Sequence, residues 1–254
     1  MENTVSIPDR LAGLVIGVAL IIVGAGFMVL GVSFLPVIGI LVGIPVLMLA
    51  WRFMTPKATV LERIAGFLVP SNVMYHRGHA WARVEENDFV IVTVGMDDFA
   101  AKLLGSADSI SLPRLGSLVN QGSPGWLLKT NSRWIRMLSP VDGEVVAVNY
   151  VLGESPGTAF EDPYGNGWLF KVRSKNLTSN LKNMVPKRKV GEWFEDIRDK
   201  LASKGLAPAS APLYADGGEP IRGMAKAVDP EGWDELAGEF LLTRPPRKLD
   251  HIQR

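Results

Sequence analysis

From Leu11 to Trp51 the chain runs for 41 residues without a charged side chain, and Ser33 is the only hydroxyl in that run. As one helix it would extend ~60 Å at ~1.5 Å per residue, about twice the ~30 Å hydrocarbon thickness of a bilayer. It therefore reads as two apolar helices, broken near Gly31 to Pro36, where proline ends or kinks a helix. A helix pair buried in a soluble core would keep a polar face, and a signal peptide would have a shorter apolar run. Gly13 and Gly17, then Gly39 and Gly43, put small residues on one face of each span. The reading is an N-terminal tail over 1–10 and a transmembrane hairpin over 11–54. Arg10 precedes the run, Arg52, Lys57 and Arg63 follow it, and the turn between the spans is uncharged. Positive flanks stay on the cytoplasmic side. This predicts a multi-pass protein of the inner (cytoplasmic) membrane, with the lipid bilayer as a partner and the rest of the chain facing the cytoplasm. Residues 55–72 read as a juxtamembrane helix and linker, because Val60, Leu61, Ile64, Phe67 and Leu68 fall on one helical stripe.

Composition narrows the chemistry. Lys and Arg number 27 against 26 Asp and Glu, so the basic excess that a phosphate backbone requires is missing, and nucleic acid is not expected as a partner. With no cysteine, disulfides, thiolate zinc sites, iron–sulfur clusters and thiol nucleophiles are all excluded.

Over 73–184 charge returns and the hydrophobic period drops to two. Trp81, Arg83 and Glu85, then Val90 to Val94, read as strands joined by a turn at Glu86-Asn87-Asp88. Asp97 to Leu104 reads as a short helix closed by Gly105. Ile110 to Leu112 is a strand. Trp126 to Leu128 and Trp134 to Leu138 flank a Thr130-Asn131-Ser132-Arg133 tip, which is the pattern of a hairpin. Val145 to Val148 and Trp168 to Val172 complete a mainly β domain of short strands.

Five fragments then carry a resemblance. They are Tyr75 to Trp81 (YHRGHAW), Thr93 to Ala100 (TVGMDDFA), Leu104-Gly105 with Leu112 to Gly116 (LPRLG), Ser139 to Asn149 (SPVDGEVVAVN) and Asp162 to Leu169 (DPYGNGWL). In this order and spacing the region resembles the H-protein of the glycine cleavage system. The resemblance implies a lipoyl-like barrel-sandwich hybrid. It also implies a lipoyl lysine, carried in a Glu-Ser-Val-Lys-Ala stretch on the hairpin before Ser-Pro-Val. Counting back from Pro140 without a gap, the lysine's position is Ser132 and the glutamate's is Lys129. A hydroxyl cannot form the amide that holds lipoate. Lys129 is the nearest amine, but it falls three residues early, in a strand rather than on the turn. No cofactor is therefore expected at this site, and lipoate enters only if the chain is a carrier after all.

Other candidates have ordinary structural explanations. His76 and His79 are three apart, yet no cysteine or acidic cluster converges on them, so no metal site is expected. Asp97 and Asp98 open a helix, where carboxylates cap amides. Glu161 and Asp162 precede a turn. No catalytic residues are identified, and the chain is not expected to be an enzyme.

Residues 185–254 read as a helical appendage with a basic tail. Val190, Trp193, Phe194, Ile197 and Leu201 form one stripe. Ile221, Met224, Ala225 and Val228 suggest a second helix. Asp229-Pro230 suggests the start of a third, bearing Trp233, Leu236, Ala237, Phe240 and Leu241. These stripes bury against either the β domain or an unidentified protein partner. The function expected is a membrane-anchored, non-lipoylated H-protein-like module serving as a scaffold or accessory subunit of a membrane-associated complex. The rivals are a lipoyl (aminomethyl) carrier of a glycine-cleavage-type system and an adaptor of transport machinery.

Overall fold

The computed structural model describes residues 14–24, 42–46, 48, 61–85, 88–204, 214–215 and 219–244. The chain divides into two compact units, Met1–Ala58 and Thr59–Arg254. In the first, residues 14–24 and 42–46 are helical. Most of the expected hairpin over 11–54 lies outside the described residues. Among the described residues, no helix is long and apolar enough to cross a membrane. The expected location as a multi-pass inner-membrane protein is corrected on this ground.

The second unit opens with a β-hairpin, β1 (Leu61–Ile64) and β2 (Phe67–Pro70), where the sequence suggested a helix. Val60, Leu61, Ile64, Phe67 and Leu68 fit a helical stripe, but burial decides otherwise. Phe67 and Val69 are buried, and Leu68 N–H donates to Asp98 Oδ2 at 2.8 Å, which is alternation with period two. Ala65 and Gly66 both take positive φ, 53° and 88°, and close the turn.

The main sheet has six strands in the order β3 (Met74–His76), β4 (Ala80–Glu85), β5 (Asp88–Met96), β11 (Phe170–Arg173), β10 (Gly143–Val148) and β7 (Leu118–Val119). A three-stranded sheet joins β6 (Ser109–Ser111), β8 (Pro124–Thr130) and β9 (Arg133–Leu138), and the paired strands of both sheets are antiparallel. Helix α1 (Asp98–Leu104) follows β5. Asp97 caps it by accepting Ala100 N–H at 2.8 Å, and Gly105 ends it, as its sequence signals predict. Short helices α2 (Val151–Glu154), α3 (Thr158–Glu161) and α4 (Leu177–Lys182) connect strands.

Two of the motif glycines are structural necessities. A Cβ on Gly95 would lie 2.7 Å from Trp81 Nε1 and closer still to two ring carbons. Gly143 has φ +147°, and a Cβ there would strike the Arg173 carbonyl.

The C-terminal helices bury their stripes in the same core. Helix α5 (Val190–Lys204) inserts Phe194, with ring centroids 6.1 Å from Phe67 and 5.5 Å from Tyr75. Helix α6 (Met224–Val228) follows the short β12 (Tyr214–Ala215) and β13 (Glu219–Pro220) pair. Helix α7 (Trp233–Phe240) buries Trp233, Leu236, Ala237 and Phe240. Asp229 does not open it. Its Oδ1 accepts Gly232 N–H at 2.8 Å, making a turn, and α7 begins four residues later.

Candidate functional site: the hairpin tip

The β8–β9 hairpin places the candidate residues. Thr130 pairs with Arg133 across a two-residue loop, Asn131-Ser132. Both loop residues have positive φ, 47° and 65°, the pattern of a type I′ turn that matches strand twist. Asn tolerates this conformation readily, because its short side chain can bond the local backbone. Ser132 sits at the exposed tip, and Lys129 lies within β8, paired with Trp134 on one side and Ser109 on the other. The Lys129 ammonium lies 5.9 Å from the Trp134 ring centroid.

Both flanks of the hairpin are fastened. On the β8 side Asp108 N–H donates to the Lys129 carbonyl at 2.7 Å, and Thr130 Oγ1 donates to the Ser106 carbonyl at 2.9 Å. On the β9 side Arg133 Nη1 donates to the Glu231 carbonyl at 3.0 Å and pairs with Asp234. Its guanidinium lies 5.8 Å from the Trp233 ring centroid. The C-terminal segment thus grips the residue immediately after the tip. Sequence reasoning gave Arg133 no such role. Two oppositely charged residues 101 apart carry no local signal of pairing.

Of the other candidates, the histidines and Asp97-Asp98 lie in the core, and Glu161 and Asp162 are exposed. His79 is 1% exposed, with Nδ1 2.8 Å from Asp97 Oδ2. Its ring lies against Trp193 at 4.9 Å and Phe99 at 4.3 Å. Asp97 therefore both caps α1 and orients the imidazole. Asp98 is buried too, and Lys102 Nζ sits 2.9 Å from its Oδ2. His76 Nδ1 accepts Gly78 N–H at 3.1 Å. Burial, then the neighbouring His79 and Arg77, hold its pKa below the ordinary value. Tyr75 and Tyr164 are pushed up, chiefly by burial. Tyr164 donates to the Leu68 carbonyl at 2.9 Å and accepts Asp98 N–H, so it fastens the first hairpin to α1. Asp162 accepts Gly165 and Asn166 N–H in a turn, and Glu161 ends α3. Among the described residues, no three His, Asp or Glu gather to hold a metal.

The motif pieces thus converge on one barrel and its exposed hairpin, and comparison with known proteins agrees. Residues 73–197 match the family model "Glycine cleavage H-protein". The chain is 42% identical over 105 residues to the "Glycine cleavage system H protein" of Rubrobacter xylanophilus, covering 41% of this chain and 81% of that one. It is 33% identical over 134 residues to the "Probable glycine cleavage system H protein" of Pyrococcus horikoshii, covering 53% of this chain and 98% of the relative. An H-protein crystal structure from Mycobacterium marinum is similar over 51% of this chain and 98% of that chain, with 23% identity and a TM-score of 0.44. With nearly whole relatives matched at this identity, the chain belongs to the glycine cleavage H-protein family.

Proposed function

We propose that this chain works as an H-protein-type module of a glycine-cleavage-type system, presenting the β8–β9 hairpin to its partners. The observation that carries the proposal is the β8–β9 hairpin itself, which projects an exposed two-residue tip at one end and runs into the Ser-Pro-Val motif at the other. Kinship favours a carrier. Within this hairpin a carrier arm has one amine available, Lys129, because Ser132 offers only a hydroxyl. The fit to lipoate is therefore poor at the tip, and it is limited at Lys129 by half-burial and the Trp134 contact.

A second reading rests on Ser132 itself. It is a module that docks like its relatives but bears no arm. The scaffold role at a membrane has no support from the helices or from the relatives, and it is set aside. Intact-mass measurement with peptide mapping, on full-length protein from its native host, separates the two readings. A lipoyl adduct on Lys129 establishes the carrier, and unmodified protein from cells with an active lipoate ligase establishes the arm-less module.

A further inference from the structure

The outer face of the β6–β8–β9 sheet is unlike the rest of the barrel. Strand alternation turns Ile110, Leu128 and Ile135 into one row facing inward, with Leu128 and Ile135 buried. The opposite face carries two rows, Ser109–Lys129–Trp134 and Ser111–Leu127–Arg136. None of the 16 residues in these three strands is acidic, while Lys129, Arg133 and Arg136 are basic. The fold neutralises only one of them, by pairing Arg133 with Asp234. Among the described residues, Arg136 makes no ion pair, and Lys129 contacts only the π-face of Trp134. Trp134 is 51% exposed between these two cations. The only carboxylate adjacent in sequence is Asp108. Its amide bonds the Lys129 carbonyl at 2.7 Å, but among the described residues no ion pair joins its carboxylate to the Lys129 ammonium.

We propose that this face is a docking surface for an acidic segment of a partner protein. Two unpaired cations flank an exposed indole, a combination that supplies charge steering and an aromatic anchor in one patch. Serines at the β6 edge leave the face sterically open. Near-zero net charge over the whole chain disfavours an extended polyanion such as nucleic acid, which needs a broad basic field. A short acidic protein segment needs only the local one. The inference rests on the arm-less reading of the proposed function, since an acyl group on Lys129 would remove one of the two cations.

The test uses the full chain and a fluorescein-labelled peptide of alternating Glu and Leu, read by anisotropy, with an alternating Lys and Leu peptide as control. Binding of the acidic peptide is expected to weaken at least about tenfold in Lys129→Glu/Arg136→Glu. It should also weaken in the milder Trp134→Ala, whose melting temperature verifies that the barrel is intact. Raising salt well above ~0.15 M, where the Debye length is ~8 Å, should reduce affinity further. Arg173→Glu, on the other sheet, should leave binding unchanged. Equal binding by the double variant would overturn the proposal, as would equal binding of the basic peptide. Duplex DNA binding this face more tightly than the peptide would replace it with a polyanion site. Intact mass of the same sample records whether Lys129 is free. An acylated Lys129 would overturn the docking reading while supporting the carrier, so the two failures are distinguishable.

Discussion

Replacing Gly95 by alanine adds one methyl group at a crowded point of the core. The new Cβ would lie 2.7 Å from Trp81 Nε1 and closer to Cε2 and Cζ2. Trp81 has no room to retreat. It is fully buried, and its Nε1 donates to the Pro163 carbonyl at 3.0 Å. Moving the ring would give up that bond and press on Tyr164, whose ring centroid is 5.9 Å away. Overpacking a tight core costs about 1–3 kcal/mol, and a strained or lost buried hydrogen bond adds about 1 kcal/mol, for about 2–4 kcal/mol in all. In a unit of this size each kcal/mol lowers Tm by roughly 2–4 °C, so a fall of roughly 5–15 °C is expected. Thermal melts of the full chain, followed by near-ultraviolet circular dichroism, read this directly. Trp81→Phe removes the atoms that the new methyl meets. In that background Gly95→Ala should therefore cost at least about 1 kcal/mol less. If the alanine costs below about 0.5 kcal/mol in the native background, or the same in both, the close approach of strand to indole is not what demands glycine here.

Three further outcomes are expected. Asp97→Ala removes the α1 cap and the partner of His79 together, which should cost about 2–4 kcal/mol in urea unfolding, whereas a loss near 0.5 kcal/mol would show that neither contact matters. His76 has a folded-state pKa below its ordinary value, so the neutral ring's contribution is complete above about pH 6.5 and is lost as pH falls from there toward the folded value. The urea midpoint should therefore drop more between pH 7.5 and 5.5 for the native chain than for His76→Asn, and equal drops would refute the assignment. Ser132→Lys, co-expressed with a lipoate ligase and lipoate, should gain an adduct that maps to residue 132. Its absence would show that the flanking Asn131 and Arg133, rather than the missing amine alone, keep this tip from being modified.

Much of the barrel is determined by the sequence alone. The strands around Trp81 and Val92 are marked by short apolar, β-branched and aromatic runs, and Asp97 and Gly105 bracket α1 with local capping chemistry. The hairpin tip over Thr130 to Arg133 is also legible locally, and the structure narrows it to a two-residue turn at Asn131-Ser132. The tertiary structure decided the rest. Residues 61–70 satisfy a helical stripe and a strand pair equally well. Only the Leu68 amide's bond to Asp98, 30 residues away, and the burial of Phe67 against Phe99 and Phe194 select the hairpin. The stripes of α5 and α7 show that those helices must bury a face, and three-dimensional packing supplies the barrel as what they bury it against. The grip of Asp234 on Arg133, and the cations it leaves unpaired, are set by segments far apart in sequence. Periodicity records which side of an element is apolar, but the partner across a non-local contact is fixed only when the whole core closes.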